Sequence, residues 1–431
     1  MSKTKYYFGQ KRRSEGGLYR ILAAILLLIT VIGAGFALWR SMSSPGNEVN
    51  APSAQHAAPA AAAPATGTLA EARARLESGD TARANELLTS FSARTSAEKL
   101  DALLLRADIA LRGGASQELL PLLESAAKEH ARDARYPEIA LKLAQTLEQA
   151  GRTEEARLRF EEVRKTAPAQ YRAGALCGLA RTVEAGGDLL GARTMYKEAL
   201  ADATPESAAW REAVEGLGRV NVALIFQPGE TPESRYYTVQ PGDSLTNIGI
   251  ALNTTQGLLM RANSLYDAAR LRLGQRLKYT PKDFRVVIER STCQLFLLDS
   301  EGIFKRYPCG LGMPGYETTL GKYTIGNKQK DPTWFKPGSA PVPPGDPHNE
   351  LGTRWMPLVP AEPGLPTDLG IHGTIAPETI GQYKSHGCPR LRKEDVEELY
   401  DLIVRSTPVE IVEKIDWTKI FSPDDAPNRA A

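Results

Sequence analysis

The sequence predicts a multidomain chain: an N-terminal transmembrane helix, an all-α helical-repeat region, a small βααβ domain and a mainly-β C-terminal domain. Three observations carry this. Residues 21–38, ILAAILLLITVIGAGFAL, hold no charge. Gly79, Gly114, Gly151 and Gly187 recur at spacings of 35, 37 and 36 in a stretch rich in Ala, Leu, Glu and Arg. Beyond residue 284, runs of Val, Ile, Phe and Leu punctuated by glycine replace the helical periodicity. A chain of 431 residues exceeds one ordinary core. Its 42% hydrophobic and 24% charged content is that of globular domains, and a net charge of +2 gives no electrostatic basis for nucleic-acid binding. Four cysteines (Cys177, Cys293, Cys309 and Cys388) are too few for a disulfide scaffold, and no C-x-x-C pair suggests zinc.

The apolar run at 21–38 reaches the length a helix needs to cross a bilayer core, roughly 17–25 residues. Lys3, Lys5, Lys11, Arg12, Arg13 and Arg20 precede it against the single acid Glu15, and only Arg40 follows before the linker. The positive-inside rule therefore puts residues 1–20 in the cytoplasm and the remainder outside, on the far side of an inner-membrane anchor. A cleaved signal peptide is the alternative, but the run is long for one and FALWRSM is a poor cleavage site. Residues 39–67 are an Ala/Pro-rich spacer without apolar periodicity, and His56 within it is incidental.

Residues 68–222 read as helix-turn-helix units. Gly79, Gly151 and Gly187 are each followed by a small residue five on (Ala84, Ala156, Ala192) and a large one nine on (Leu88, Phe160, Tyr196). A weaker copy lies at Gly114, Leu119 and Leu123. The glycine permits the turn, the small residue lets helices approach and the large one fills the gap. The pattern resembles degenerate tetratricopeptide repeats. A groove that docks a protein partner and a spacer that holds later domains from the membrane both fit it. Cys177 lies on a helix here, in a core role.

Residues 236–281 begin with the strand YYTV, turn at QPGDS, where Asp243 or Ser244 can cap a helix, and return through LRLGQRLKY. YTVQPGDSL and LRLGQRL resemble a LysM domain. That likeness implies a βααβ fold binding N-acetylglucosamine-containing glycan, with Gly242, Asp243 and Ser244 in one contact loop and the segment before the last strand in the other.

From 284 to 414, FRVVIERSTCQLFLLDSEGIFKRYPCGLG predicts two strands around a DSEG turn, and TTLGKYTIG adds another. Ten prolines in 331–369 predict a long functional loop. LGIHGTIAPETIGQYKSHGCPRL then precedes an amphipathic helix, KEDVEELYDLIVR, a last strand, PVEIVEK, and a tail at 415–431. Cys293 and Cys309 flank the DSEG turn almost symmetrically, as core neighbours or as a disulfide.

IHGT, IG and SHGCPRL together resemble the L,D-transpeptidase catalytic domain, the YkuD-type family of peptidoglycan enzymes. The resemblance implies a cysteine enzyme that cleaves the stem peptide after its third residue, releases D-alanine and passes the acyl group to an amine on a second stem. Cys388 is then the nucleophile, His372 the base, and the carbonyl of Gly373 orients the imidazole. His386 lines the site and supports the thiolate, while Gly387 permits a tight turn. The N–H groups of 386–388 form an oxyanion hole. Arg390 pairs with substrate carboxylates, since a guanidinium binds them bidentately. Ser385, Tyr323, Trp334 and Trp355 are candidates for the substrate channel. Two departures stand out: Pro389 supplies no N–H, and Thr319-Leu320 stands where the family commonly has threonine-proline. Thiol acyl transfer needs no metal and no organic cofactor.

The expected whole is a membrane-anchored wall enzyme whose partners are stem peptides, glycan strands and the membrane. Water or a protein amine as acceptor remains an alternative, as does a wall-binding scaffold without activity.

Overall fold

The computed structural model describes residues 68–113, 117–335 and 338–420. The apolar run at 21–38, the 39–67 spacer, Gly114 and residues 421–431 lie outside them. Among the described residues no helix is long and apolar enough to cross a membrane.

The helical region comprises α1 (Leu69–Glu77), α2 (Thr81–Ser90), α3 (Ser96–Gly113), α4 (Leu120–Glu129), α5 (Tyr136–Gln149), α6 (Thr153–Thr166), α7 (Ala169–Ala185), α8 (Leu189–Asp202) and α9 (Ala208–Phe226). The periodic glycines make the turns. Gly79, Gly151 and Gly187 have φ of +87°, +75° and +87°. The residue after each closes back across the helix end: Asp80 N–H donates to Arg75 O, Arg152 to Leu147 O and Asp188 to Val183 O, at 2.9–3.2 Å. That bond satisfies helix-terminal carbonyls otherwise left unpaired. Ala84, Ala156 and Ala192 are buried where the helices meet, as are Leu88, Phe160 and Tyr196. Phe160 packs on Gly178 and Tyr196 on Gly216 so closely that an added Cβ would lie 2.4 Å and 2.2 Å from the rings. Cys177 is buried in this core, and burial pushes its thiol up to about 12.

The small βααβ domain pairs β1 (Arg235–Thr238) antiparallel with β2 (Arg276–Tyr279) around α10 (Leu245–Ala251) and α11 (Gln256–Ala262). Ser244 caps α10 by accepting from Asn247 N–H, and Thr255 caps α11 by accepting from Leu258 N–H. Buried Lys278 on β2 donates to Leu224 O (3.1 Å), Gln227 O (2.6 Å) and Gly229 O (2.8 Å). A cation there satisfies the carbonyl end of α9.

The C-terminal domain is mainly β. Its strands are β3 (Arg285–Glu289), β4 (Gln294–Asp299), β5 (Gly302–Pro308), β6 (Leu311–Gly312), β7 (Gly321–Ile325), β8 (Gln329–Lys330), β9 (Arg354–Pro360), β10 (Gly370–His372), β11 (Tyr383–Ser385) and β12 (Pro408–Val412). The large sheet runs β10-β9-β7-β12-β3-β4-β5, with β8 also on β9, and β6 pairs parallel with β11. Only β12–β3 is parallel within the large sheet. Its central strands are apolar on both faces because both are covered. Val286, Ile288, Leu295 and Leu297 join the main core, while Val287, Phe296 and Leu298 meet Trp210 and Val214 of α9. Helix α12 (Lys393–Leu402) contributes Val396, Leu399 and Leu402 to the main core, and a short helix, α13 (Trp417–Ile420), follows β12.

Two sequence expectations need correction. The stretch 284–312 forms three principal strands, not two, because a second turn at Arg290–Cys293 separates β3 from β4; it contains neither Gly nor Pro, and Cys293 itself takes φ +54°. The proline-rich 331–369 segment is not all loop. It holds β9, where the carbonyl of Pro357 accepts from Gly326 N–H at 2.8 Å and the prolines sit where no N–H is required. The helical region also shares a core with the LysM-like and C-terminal domains. Val222 and Ile225 of α9, and Leu258 and Ala262 of α11, belong to the main core of the C-terminal domain. Thr255 Oγ1 donates to Asp401 O on α12, and Arg261 pairs with the Asp401 carboxylate at 3.5 Å.

Candidate active site

The site is stitched together by the backbone. His372 ends β10, and the segment carrying the candidate nucleophile runs beside it. His372 N–H donates to Pro389 O (3.2 Å), and Leu391 N–H donates to His372 O (2.9 Å). This parallel bridge centres on Arg390. It uses only the carbonyl of residue 389, so the N–H that proline lacks is not needed. Arg390 is held on its other side by Gly310, with 2.8 Å bonds in both directions.

Cys388 is partly buried, and its Sγ lies 3.9 Å from Asp368 O. Burial pushes the thiol up and Asp368 adds to this; the Gly370 backbone and Arg390 oppose them. The His372 imidazole is buried, and its Nδ1 makes no hydrogen bond of standard geometry. Burial first, then the neighbouring Arg390, push the imidazole down to about 4, although the backbone of Gly373, Glu350 and Leu351 favours the charged ring. The resting pair is thus a neutral thiol and a neutral imidazole, and no hydrogen bond joins them. Trp355 lies opposite His372 in register, with its ring 5.7 Å from the imidazole and its far edge over Gly370.

Arg390 is half-buried, and its Nε and Nη2 are buried without a partner. Burial lowers its pKa while Glu350, Cys388 and Glu378 raise it. Two buried guanidinium donors are thus left unpaired near the thiol.

The turn before Cys388 is held from within. Gly387 has φ +116°, donates its N–H to Ser385 Oγ (3.2 Å) and accepts at its carbonyl from Thr318 Oγ1 (2.7 Å). The expected three-donor oxyanion hole is therefore reduced. Gly387 N–H is occupied, whereas among the described residues no hydrogen bond uses the N–H of His386 or Cys388. Gly373 N–H donates to Leu351 O at 3.0 Å.

The remaining expected residues divide. His386 is exposed, sits edge-on against Tyr316 at 5.3 Å, and makes no hydrogen bond to Cys388. Ser385 faces inward, its hydroxyl committed to Gly387, so it is not a channel residue. Tyr323 is 1% exposed in the sheet core with its hydroxyl on Thr319 O, and it does not wall a channel. Trp334 pairs its backbone with Val342 inside the 331–353 loop. In the small domain, Gly242 has φ +84°, Asp243 accepts from Tyr237 Oη (2.8 Å) and Gln240 N–H (2.7 Å), and Ser244 is occupied as a cap. These acceptors hold the loop's shape, and Tyr266 in the second loop is 94% exposed. Cys293 and Cys309 are buried free thiols joined through Cys309 N–H to Cys293 O at 2.9 Å.

Sequence reasoning missed Asp368, Tyr316 and Thr318. Asp368 and Tyr316 lie in no motif, Thr318 opens the TTLGKYTIG stretch without having been singled out, and each reaches the site from another segment.

Residues 283–411 match the L,D-transpeptidase catalytic domain model, and residues 237–280 match the LysM domain. A Bacillus subtilis (strain 168) protein bearing the name L,D-transpeptidase YkuD is 30% identical over 183 residues, covering 41% of this chain and 97% of that protein. Its Bacillus licheniformis counterpart is 28% identical over 181 residues, with the same coverage. Among solved structures, an L,D-transpeptidase from Mycobacterium smegmatis aligns over 32% of this chain at 14% identity and TM-score 0.26, and the chain spans 63% of its length. One from Mycobacterium tuberculosis aligns over 33% of this chain and 75% of its own, at 17% identity and TM-score 0.25. On the Bacillus subtilis relative, nearly all of whose length is covered, the chain belongs to the L,D-transpeptidase family. It carries a LysM domain in addition.

Proposed function

We propose that this protein crosslinks peptidoglycan stem peptides through an acyl-enzyme on Cys388. The observation that carries the reading is the bridge fixing His372 beside the Cys388 turn, with the two unpartnered donors of Arg390 in the same turn. Cys388 Sγ attacks the carbonyl of the stem's third residue, and His372 takes the thiol proton. The charge formed on the oxygen meets the free N–H of Cys388. The peptide bond breaks, His372 protonates the departing amine, and D-alanine leaves. An amine of a second stem then attacks the thioester, His372 takes its proton, and the thiol is restored. Arg390 holds a stem carboxylate throughout.

LysM binds glycan and keeps stems near the site. Because Asp243 and Ser244 use their side chains within the loop, glycan contact there falls to Gly242, the loop backbone and exposed Tyr266. The helical region is a degenerate tetratricopeptide-like array, a reading supported by its left-handed glycine turns. It stands between the catalytic unit and an inner-membrane anchor at 21–38, with catalysis on the extracytoplasmic side.

Intact-mass measurement after mixing the full chain with disaccharide-tetrapeptide tests this. Wild type gains the donor mass less D-alanine and Cys388→Ala gains nothing; an unmodified wild type that also releases no D-alanine, with glycan still bound, favours the inactive scaffold.

A further inference from the structure

The geometry points to Thr318 as a positioning residue that sets the oxyanion-binding N–H of Cys388, an inference that rests on the acyl-transfer reading above. Thr318 is fully buried. Its hydroxyl donates to Gly387 O at 2.7 Å and accepts from Gly312 N–H at 3.0 Å, so both its capacities face the nucleophile turn and the strand beside it.

The carbonyl that Thr318 holds belongs to the same peptide unit as the N–H of Cys388. A peptide unit is planar and trans, so its C=O and N–H point in opposite directions and move together. Fixing Gly387 O therefore aims Cys388 N–H. Among the described residues no other hydrogen bond is made to Gly387 O or from Cys388 N–H. Gly387 sits at φ +116°, where glycine has wide freedom, and its N–H bond to Ser385 belongs to the preceding peptide unit.

Thr318 is itself anchored from the sheet. Its carbonyl accepts from Arg290 Nη1 (3.3 Å), and Arg290 pairs with Glu413 at 2.6 Å and donates its N–H to Val412 O at 2.8 Å. Gly312 allows the close approach, because a Cβ there would lie 1.9 Å from Tyr316 O and 2.7 Å from Thr318 N. A second tie, Met313 N–H to Ser385 O at 2.9 Å, keeps the two loops in register. A line of bonds thus runs from the end of the central strands β3 and β12 through Arg290, Thr318 and Gly387 to the donor N–H.

The test measures two rates on the full-length chain. One is acylation, read as the burst of D-alanine from disaccharide-tetrapeptide. The other is alkylation of Cys388 by iodoacetamide, a displacement at saturated carbon that forms no oxyanion. Thr318→Val keeps the shape and removes the hydroxyl. Acylation is expected to fall about 100-fold, as when an oxyanion donor is lost, with alkylation unchanged. Thr318→Ser, which keeps the hydroxyl, is expected to restore acylation. Wild-type acylation in Thr318→Val overturns the inference, and so do equal falls in both rates or failure of the serine to rescue. If the valine variant does not fold, the same ratio is read in Thr318→Ala. A wild type that alkylates but releases no D-alanine overturns the acyl-transfer reading and this inference with it. Normal wild-type acylation with an unchanged ratio in the variants overturns the inference alone.

Discussion

Acidification separates two states of the His372 imidazole. A free histidine titrates near 6.5, whereas burial and Arg390 hold His372 at about 4. At pH 5.5 a group titrating at 4 is about 97% neutral, while one titrating at 6.5 is about 9% neutral, an elevenfold difference in available base. The acylation rate of the wild-type chain should therefore stay level from pH 8 to about 5 and halve only near 4. The same shift enters stability. The folded pKa lies below the unfolded one, so between 6.5 and 4 the unfolded chain binds a proton that the folded chain refuses. Stability present above 6.5 is lost as pH falls to 4, by about 3 kcal/mol for a 2.5-unit difference. D-alanine burst rates from pH 4 to 8, at constant ionic strength, make the assay. A rate that halves near 6.5 refutes the reasoning, because it requires an imidazole that burial and Arg390 do not perturb.

Lys328 predicts a change at the opposite end of the scale. Its ammonium donates to Tyr400 O and Ile403 O at the end of α12, and burial pushes it down to about 8. Between 8 and 10.5 the unfolded chain alone carries this proton, so stability rises with pH there; denaturant titrations should show a flatter slope in Lys328→Met. Gly387→Ala introduces a side chain at φ +116°; acylation should fall at least about tenfold from turn distortion, and strain of about 1–3 kcal/mol should lower the melting temperature by several degrees. Lys278→Met leaves three carbonyls near the end of α9 without their cation, and a loss of about 2 kcal/mol should appear as earlier proteolysis between the helical and LysM regions. Gly178→Val drives a branched side chain into the Phe160 ring, and a thermal melt should show a destabilisation of about 1–3 kcal/mol.

The parts legible in the sequence were those whose chemistry demands a particular residue. Gly79, Gly151 and Gly187 announced the helical turns because few other residues adopt their backbone angles cheaply. His372 and Cys388 stood out through the motifs around them, and the bridge at Arg390 brings their backbones together. What depends on side-chain direction was not legible. Tyr323 and Ser385 occupy strands, where neighbouring positions face opposite ways, and both face inward. The turn at Arg290–Cys293 was hidden because an ordinary residue takes the left-handed angle there, and β9 because its prolines sit where only carbonyls pair. Thr318 opens the TTLGKYTIG stretch, but its hydroxyl reaches Gly387 across 69 residues, a contact that the stretch read as a strand does not show. The fusion of the helical, LysM and catalytic cores was also invisible, since buried Lys278 and the Asp401 contacts read in sequence as ordinary surface charges.

The central claim is that Cys388 transfers a stem acyl group to an amine of a second stem. Its most direct test is mass spectrometry of products from purified disaccharide-tetrapeptide, using the full-length chain beside Cys388→Ala. The account predicts a crosslinked dimer lacking one D-alanine in the wild-type reaction and none in the variant. A wild-type reaction that yields tripeptide alone, with no dimer at any donor concentration, contradicts it and makes water the acceptor.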